Sequence, residues 1–282
     1  MKNTFYIILI LILFASCNQI AKTDTEAIED ITEMIILPEQ SQCVILLSDS
    51  IIPENAFVFL DASGRACLLI DSVVFYLETE NTDNEQEPML FFNSTMPRKV
   101  CCFNDGTILF NENNFLNQIK DGESKTLITF PTDDFHLEKA GEEGVYVSFF
   151  DKSEKQYHLI LVNKNTMIAH KLLSDSLPII VAGFGEMTAV AIDRSVYLLY
   201  EGESKHIFQA QEPITHLAFA PNGFFYATEN NVGYFDSEIN IIFLKRTVRN
   251  MFSFDNKLYL LLKEGSLYKI TNTEYFNELS NI

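Results

Sequence analysis

The chain of 282 residues contains no tryptophan, although it carries 24 phenylalanines and 11 tyrosines. A surface without indole rings is unusual for a protein that stacks sugar rings on aromatic faces. Most of the phenylalanines and tyrosines fall within short apolar runs, where large aromatic side chains supply much of a buried core. The aromatic residues therefore indicate internal packing rather than carbohydrate recognition.

Basic residues are also scarce, because 20 lysines and arginines stand against 39 aspartates and glutamates. The formal net charge is −19, and the basic residues are scattered singly along the chain. Such a field repels phosphate backbones, so the sequence predicts no binding to nucleic acid.

The usual signatures of catalysis are absent from the sequence. It has no Gly-x-Ser-x-Gly elbow and no glycine-rich phosphate loop after a strand. No two of the five histidines have the spacing that places two imidazoles on one metal; these are His136, His158, His170, His206 and His216. His216, at the start of a predicted inner strand, is interpreted as a hydrogen-bonded structural histidine. The sequence thus predicts no catalytic residue, no metal and no cofactor.

Cysteine is used sparingly, and its spacing matches neither a zinc ribbon nor a redox pair. Cys43, Cys67, Cys101 and Cys102 each lie in an apolar run. Cys101 and Cys102 are adjacent, so they would face opposite sides of a strand. We expect these four to pack as small apolar side chains, although an oxidising compartment would permit a disulfide.

The beginning of the chain is a short apolar run that follows Lys2 and extends from residue 5 to residue 14. It is shorter than the roughly 20 apolar residues that a membrane-spanning helix needs. The segment Leu13-Phe14-Ala15-Ser16-Cys17 resembles the bacterial lipoprotein signal, in which small residues precede an invariant cysteine. The resemblance implies that residues 1–16 are a cleaved signal peptide and that Cys17 is lipidated, for example with palmitate. The polar, acidic residues after Cys17 predict a flexible stalk over 17–42.

This lipoprotein-like signal predicts a bacterial cell-envelope lipoprotein that is held in the outer membrane through Cys17. The sequence does not choose between the periplasmic and the outer face.

From Cys43 onward the chain is a succession of short β-type runs separated by turn residues. The clearest block has strands predicted over 215–220, 224–228, 232–236 and 239–244, with Pro221-Asn222-Gly223 as its first turn. Proline presets the first corner of such a turn and glycine tolerates positive φ. Four strands joined by tight turns form one module.

The four-strand module recurs along the chain. Copies are predicted over 57–93, 99–130, 135–173 and 179–210, and a last module over 249–271 has only three strands. A strand over 44–49 would supply the missing fourth one and close a ring, which leaves only short protected edges. The sequence therefore predicts, over 43–282, an all-β, six-bladed β-propeller of four-stranded antiparallel blades. A seven-bladed ring or two packed β-sandwiches are the alternatives.

The segment from Leu217 to Thr228, Leu-Ala-Phe-Ala-Pro-Asn-Gly-Phe-Phe-Tyr-Ala-Thr, resembles a signature of six-bladed propellers of the NHL and gluconolactonase-like kind. The gluconolactonase-like enzymes hold a divalent metal in the central channel with acidic and amide side chains. Thr215 occupies the position of their asparagine ligand, and no early Glu-Gly-Pro segment is present. The resemblance implies the scaffold without its metal site.

A set of acidic and amide residues at strand ends could form a ring around one mouth of the channel: Asp61, Asp105, Asp193, Asn222 and Asp255. Each is followed within a few residues by a turn former, so a role in turn structure is favoured.

The sequence favours a non-enzymatic, lipid-anchored propeller that binds a protein or a small ligand. A channel-centred hydrolase or lactonase-like enzyme is the alternative from another class, and a purely structural envelope component is a third.

Overall fold

The computed structural model describes residues 33–34, 44–46, 52–53, 56–63, 65–70, 73–76, 89–90, 99–166, 168–184, 187–200, 203–220, 222–236, 240–254 and 257–271. The predicted signal peptide (1–16), the lipidation residue Cys17 and Cys43 lie outside these ranges. None of the described residues forms a helix long and apolar enough to cross a bilayer.

The described residues form 25 strands. The first ten are β1 (Glu33–Met34), β2 (Val44–Leu46), β3 (Phe57–Leu60), β4 (Ala66–Ile70), β5 (Val73–Tyr76), β6 (Met89–Leu90), β7 (Val100–Cys102), β8 (Ile108–Glu112), β9 (Phe115–Lys120) and β10 (Glu123–Thr129). The next eight are β11 (Phe135–Ala140), β12 (Gly144–Asp151), β13 (Gln156–Asn163), β14 (Ala169–Asp175), β15 (Ile179–Phe184), β16 (Met187–Ile192), β17 (Ser195–Tyr200) and β18 (Glu203–Gln209). The last seven are β19 (His216–Phe219), β20 (Gly223–Ala227), β21 (Val232–Asp236), β22 (Asn240–Leu244), β23 (Val248–Phe254), β24 (Lys257–Leu262) and β25 (Leu267–Thr271).

Consecutive strands pair as antiparallel neighbours within four-stranded sheets. The sheets are β3-β4-β5-β6, β7-β8-β9-β10, β11-β12-β13-β14, β15-β16-β17-β18 and β19-β20-β21-β22. The strands β23, β24 and β25 form a further sheet with β2, which pairs antiparallel with β25 so that Val44 lies opposite Ile270. The predicted all-β propeller with four-stranded antiparallel blades is confirmed.

One strand lies within the segment predicted as a stalk. β1 pairs parallel with β22, and Glu33 lies opposite Ile241. The pairing covers two residues, and the remainder of 17–42 is outside the described part of the chain.

The first strands of the sheets pack against one another in chain order. Strand β3 contacts β7, β7 contacts β11, β11 contacts β15, β15 contacts β19, and β19 contacts β23. A side-chain hydrogen bond links the last of these to the first, because Asn250 Nδ2 donates to the Val58 carbonyl at 2.8 Å. The first strands therefore surround a common centre.

The apolar core fills the spaces between neighbouring sheets. One cluster packs Phe225 and Tyr234 against Leu258 and Leu260 of the next sheet. All four side chains are buried. Full burial of a large apolar side chain contributes about 1.5–3 kcal/mol, so these inter-sheet layers hold the blades together.

The three described cysteines pack as the sequence predicts. Cys67, Cys101 and Cys102 are buried and free. Cys101 joins the cluster around Phe103, whereas Cys102 joins the cluster around Phe110, because successive residues of β7 face opposite sides. Burial raises the pKa of the Cys67 and Cys102 thiols to about 12, so both thiols are protonated.

Candidate functional site

The first strands enclose a cavity of about 370 Å³ at the centre of the propeller. Its lining also includes residues of the turns that follow β3, β7 and β11, which form a mouth. Apolar side chains cover part of the wall, among them Phe57, Leu137, Ile180 and Met251. Ionisable side chains from β11, β19 and the residue before β7 cover another part, so the cavity has an apolar side and a polar side.

Lys99 immediately precedes β7 and lines the cavity. Its backbone N–H donates to Asn111 Oδ1 at 2.6 Å, which holds this residue at the start of the strand. Its Nζ lies 5.6 Å from the centroid of the Phe57 ring. Burial lowers the pKa of the Lys99 ammonium, and the nearby Glu138 and Cys101 oppose that shift.

His136 and Glu138 lie two residues apart on β11, so they share one side of that strand. Burial raises the pKa of the Glu138 carboxyl to about 7, although Lys99 opposes that shift. Burial also lowers the pKa of His136 well below its ordinary value, and the charges of Lys99 and His216 add to that effect. At neutral pH the imidazole of His136 is uncharged and Glu138 is divided between its two protonation states.

Within the described part of the chain, the side chains of Lys99, His136 and Glu138 make no hydrogen bond of 3.5 Å or less and no ion pair of 4.0 Å or less. Buried polar groups in proteins are nearly always hydrogen-bonded, to protein or to water. Lys99, His136 and Glu138 are only partly buried, so their polar atoms stay accessible from the cavity, where water or a ligand can supply the hydrogen bonds. Three ionisable groups around one cavity, without a partner among the described residues, are the main chemical feature of this molecule.

His216 differs from these three because both of its ring nitrogens have partners. Nε2 lies 3.3 Å from the Arg249 carbonyl, which accepts a hydrogen bond, and Nδ1 lies 3.1 Å from Thr215 Oγ1. Burial, with a contribution from Lys99, lowers the pKa of His216 to about 4. The interpretation of His216 as a hydrogen-bonded structural histidine is confirmed.

The charged residues at the mouth are paired with each other. Asp61 accepts hydrogen bonds from the backbone of Ser63 at 2.8 Å and from Arg65 Nε at 2.7 Å. Lys139 Nζ lies 2.5 Å from Glu142 Oε1. The charged side chains of the mouth are therefore paired with one another, whereas Lys99, His136 and Glu138 of the cavity have no such partner in the described part of the protein.

Of the described acidic and amide residues considered as a ring, Asp61 lines the cavity, whereas Asp105, Asp193 and Asn222 do not. Asp61, Asp105 and Asn222 follow the first strands β3, β7 and β19. Asp193 instead follows β16, the second strand of its sheet, and β16 runs antiparallel to β15, so Asp193 lies at the opposite end of the strands. Asp105 Oδ1 accepts from the Thr107 backbone at 3.1 Å, as in a turn. The predicted turn role is thus confirmed for Asp61 and Asp105, and Asp255 lies outside the described residues.

The cavity does not fit the divalent metal that the gluconolactonase-like signature implies. Thr215 Oγ1 lies 3.1 Å from His216 Nδ1 and 3.2 Å from the Ala227 carbonyl oxygen, so this hydroxyl is occupied within its own sheet. Hard divalent cations prefer several carboxylate and carbonyl oxygens. The polar side of the cavity instead combines an ammonium group, imidazoles and one carboxyl group of raised pKa.

A second polar cluster lies at the turn between β12 and β13. Ligand-type atoms of Asp151, Glu154 and His158 lie within 4.8 Å of one another. Local contacts account for each residue: Asp151 Oδ1 accepts from Ser153, and His158 Nε2 lies 3.2 Å from Glu154 Oε2. This grouping was not found from the sequence, because its members converge only when the hairpin forms.

Sequence reasoning also missed the three cavity residues. The one available signal is the pattern His136-Leu137-Glu138 on an otherwise apolar first strand, which places two ionisable groups on one side of that strand. Lys99 carries no such signal, since it precedes its strand and resembles an ordinary surface lysine.

The sequence matches no family model and no curated protein. Solved structures do match the fold. A catalytically inactive histidine variant of virginiamycin B lyase from Staphylococcus aureus, solved with quinupristin, is 10% identical, with a TM-score of 0.52 over 81% of this chain and 99% of that chain. The calcium-binding protein regucalcin from Agrobacterium tumefaciens is 10% identical, with a TM-score of 0.56 over 80% of this chain and 92% of that chain. The β-propeller domain of the Trilobed protease from Pyrococcus furiosus is 13% identical, with a TM-score of 0.50 over 73% of both chains. At these identities the likeness establishes the fold alone, and that fold is a β-propeller.

Proposed function

We propose that this protein is a β-propeller that binds a small molecule in its central cavity. One observation carries the proposal: Lys99, His136 and Glu138 line the cavity without a hydrogen bond or ion pair to any described residue. A concave site with an apolar wall and a few converging polar groups is the usual form of a ligand pocket. A ligand would supply the partners that these groups lack.

Methyl NMR tests the proposal, because Ile180 and Met251 line the cavity whereas Met187 is exposed on β16. A library with anionic, neutral and cationic small molecules is added to protein labelled at isoleucine and methionine methyl groups. We expect at least one compound to shift the signals of Ile180 and Met251 and to leave that of Met187 unchanged. A cavity-filling Ile180→Phe variant should abolish the shifts.

If no compound shifts the cavity methyl groups, or if the shifts survive in folded Ile180→Phe protein, the cavity is not the binding site.

A second candidate function is acid–base catalysis in the same cavity, by a hydrolase or lyase. It is supported by the raised pKa of Glu138, about 7, since a general acid or base works best when its pKa is near the operating pH. One propeller of similar fold is a lyase. Turnover of a panel of small esters and lactones should depend on a group with a pKa near 7 and be lost in Glu138→Gln. Equal turnover by Glu138→Gln would exclude Glu138 as the acid or base.

We further propose that the protein is a cell-envelope lipoprotein anchored to the outer membrane through Cys17. The resemblance of residues 13–17 to a lipoprotein signal supports this assignment. Wild-type cells grown with a palmitate analogue should incorporate the label into the protein, and cells with Cys17→Ala should not. Equal labelling of both would mean that Cys17 is not the lipidated residue.

The finer architecture that we propose is a closed ring of six blades. Two contacts support closure, namely the pairing of β2 with β25 and the hydrogen bond from Asn250 of β23 to Val58 of β3. Such a ring gives the cavity a rigid wall on all sides.

A further inference from the structure

The donor groups of the central cavity define the charge of its ligand. Resting on the small-molecule site proposed above, we propose that the cavity takes a small organic carboxylate, held by the Lys99 ammonium and by the protonated carboxyl of Glu138, and that a proton enters with it. The carboxylate group lies against the polar side, and its apolar body lies against Phe57, Ile180 and Met251.

The hydrogen-bond donors and acceptors of the polar side of the cavity favour an anionic ligand. An ammonium has three donors and no acceptor, a protonated carboxyl has one donor and keeps its carbonyl oxygen as an acceptor, and a neutral imidazole has one donor and one acceptor. Lys99, Glu138 and His136 together therefore present more donors than acceptors to the cavity. A carboxylate has only acceptors and forms strong charge-assisted hydrogen bonds with such a set.

The single ammonium favours a monoanion. Lys139 at the mouth is paired with Glu142, so Lys99 is the cation of the polar side that has no carboxylate within 4.0 Å among the described residues. One ammonium balances one negative charge, whereas a phosphate dianion would leave a buried charge uncompensated. A cationic ligand would lie beside Lys99 and be repelled by it.

Proton uptake follows from the titration of Glu138. A bound anion favours the protonated carboxyl, because two negative charges close together repel each other. Above a pH of about 7 Glu138 of the ligand-free protein is mainly ionised, so we expect binding there to bring in a proton. Below that pH the carboxyl already holds its proton and no uptake is needed.

Other ionisable groups line the same cavity: Asp61, Lys99, Cys101, Cys102, His136, Lys139, Glu142 and His216. The pKa of His136 is well below its ordinary value and that of His216 is about 4, so neither imidazole titrates between pH 6 and 8. The pKa of the Cys102 thiol is about 12, and that of Cys101 is well above its ordinary value. Strand β23 contributes Arg249, whose guanidinium donates to the Ala56 carbonyl at 3.2 Å. The pKa of the Glu138 carboxyl, about 7, lies inside this range, so Glu138 is the group that we expect to titrate there.

Isothermal titration calorimetry with four matched probes tests the inference. The probes are benzoate, neutral benzamide, cationic benzylamine and dianionic phenyl phosphate. We expect benzoate to bind most tightly, and Lys99→Met to weaken it roughly tenfold to a hundredfold, as expected for loss of a charge-assisted hydrogen bond. Benzoate titrations at pH 8 in phosphate and in Tris buffer should differ in enthalpy by the amount that uptake of one proton requires.

Two variants separate the role of Glu138 from general effects on the cavity. Glu138→Gln removes the titrating group, so proton uptake should vanish and benzoate should bind more tightly than to the wild type at pH 8. Glu143→Gln changes an exposed carboxylate and should leave affinity and proton uptake as in the wild type.

Binding of benzamide, benzylamine or phenyl phosphate as tightly as benzoate overturns the carboxylate inference and leaves the cavity a ligand site. Benzoate binding without proton uptake at pH 8 overturns the role of Glu138. If none of the four probes binds, the carboxylate inference is wrong, and the methyl NMR screen decides separately whether the cavity binds any ligand.

Discussion

Glu138 illustrates how burial changes one residue. Its carboxyl lies at the centre of the propeller, where desolvation disfavours the charged form more than the Lys99 ammonium favours it. The folded protein therefore holds a proton on Glu138 at pH values where the unfolded chain has released it. Whatever the ligand, this residue links folding and binding to pH.

The sign of that link predicts the effect of Glu138→Gln on stability. The folded pKa is about 7 and the ordinary value is 4.5, so wild-type stability falls as pH rises between these values. The loss is complete above pH 7 and amounts to about 3 kcal/mol. We expect Glu138→Gln to be more stable than the wild type at pH 8 and equal to it at pH 4, as measured by urea denaturation. The exposed Glu143→Gln should match the wild type at both pH values, and a destabilised Glu138→Gln at pH 8 would contradict the prediction.

At the scale of elements, an ion pair joins the turn after β7 to the turn after β13. Lys164 Nζ lies 3.1 Å from Asp105 Oδ2 and 4.5 Å from the centroid of the Phe103 ring. Lys164 is only 5% exposed, and its carbonyl accepts from Gln118 Nε2 at 3.0 Å. These contacts fix one blade against the next, between elements that are far apart in the chain.

Asp105→Asn should weaken this junction, because it leaves the buried Lys164 ammonium without its carboxylate. Bonds from Thr107 and Lys164 lower the pKa of Asp105 to about 2, against an opposing effect of desolvation. The stabilisation is thus present above pH 3.8 and is lost as pH falls toward 2. We expect Asp105→Asn to cost on the order of 1 kcal/mol at pH 7, since the carboxylate is partly solvent-screened, and progressively less below pH 4. Thermal denaturation checks this, with the exposed Asp133→Asn as control; an equal loss in both variants would exclude the ion pair as the cause.

At the scale of the whole molecule, the pairing of β2 with β25 joins the second strand of the described chain to its last one. Without β2, strand β25 would present unpaired amide and carbonyl groups along a sheet edge, which promotes association with other chains. The pairing of β2 with β25 therefore protects this edge of the sheet.

Proline substitutions at two adjacent positions of β2 test this pairing. β2 is the outermost strand of its sheet, and successive amides of a strand point to opposite edges, so only one of Val44 and Ile45 directs its N–H toward β25. One of Val44→Pro and Ile45→Pro should then lose a ladder hydrogen bond worth about 1 kcal/mol. That variant should melt about 2–4 °C lower than the wild type, and the other should melt close to it. Calorimetric melting curves that leave both variants unchanged would mean that β2 does not stabilise the propeller.

The sequence was sufficient for the strands from β2 onward and for their grouping, but it did not predict β1. Apolar runs and turn-forming residues act over a few positions, so they predict the bounds of individual strands. The strand predicted over 179–184, for example, is β15 (Ile179–Phe184). Cys101 and Cys102 face opposite sides of β7 and Asp61 stabilises a turn, and both features follow from equally local rules. The four-stranded repeat then implies blades, since each sheet needs neighbours to bury its faces.

The cavity chemistry depended on the tertiary structure. Lys99, Glu138 and His216 are separated by tens of residues, and they share a cavity because three different first strands approach a common centre. Their pKa values are set by desolvation and by each other's charges, which exist only in the assembled propeller. The sequence by itself determined a chain of four-stranded antiparallel modules, because hydrophobic periodicity and turn formation are local. Only the tertiary structure decided which polar groups meet without partners, because burial and charge proximity are properties of the folded propeller.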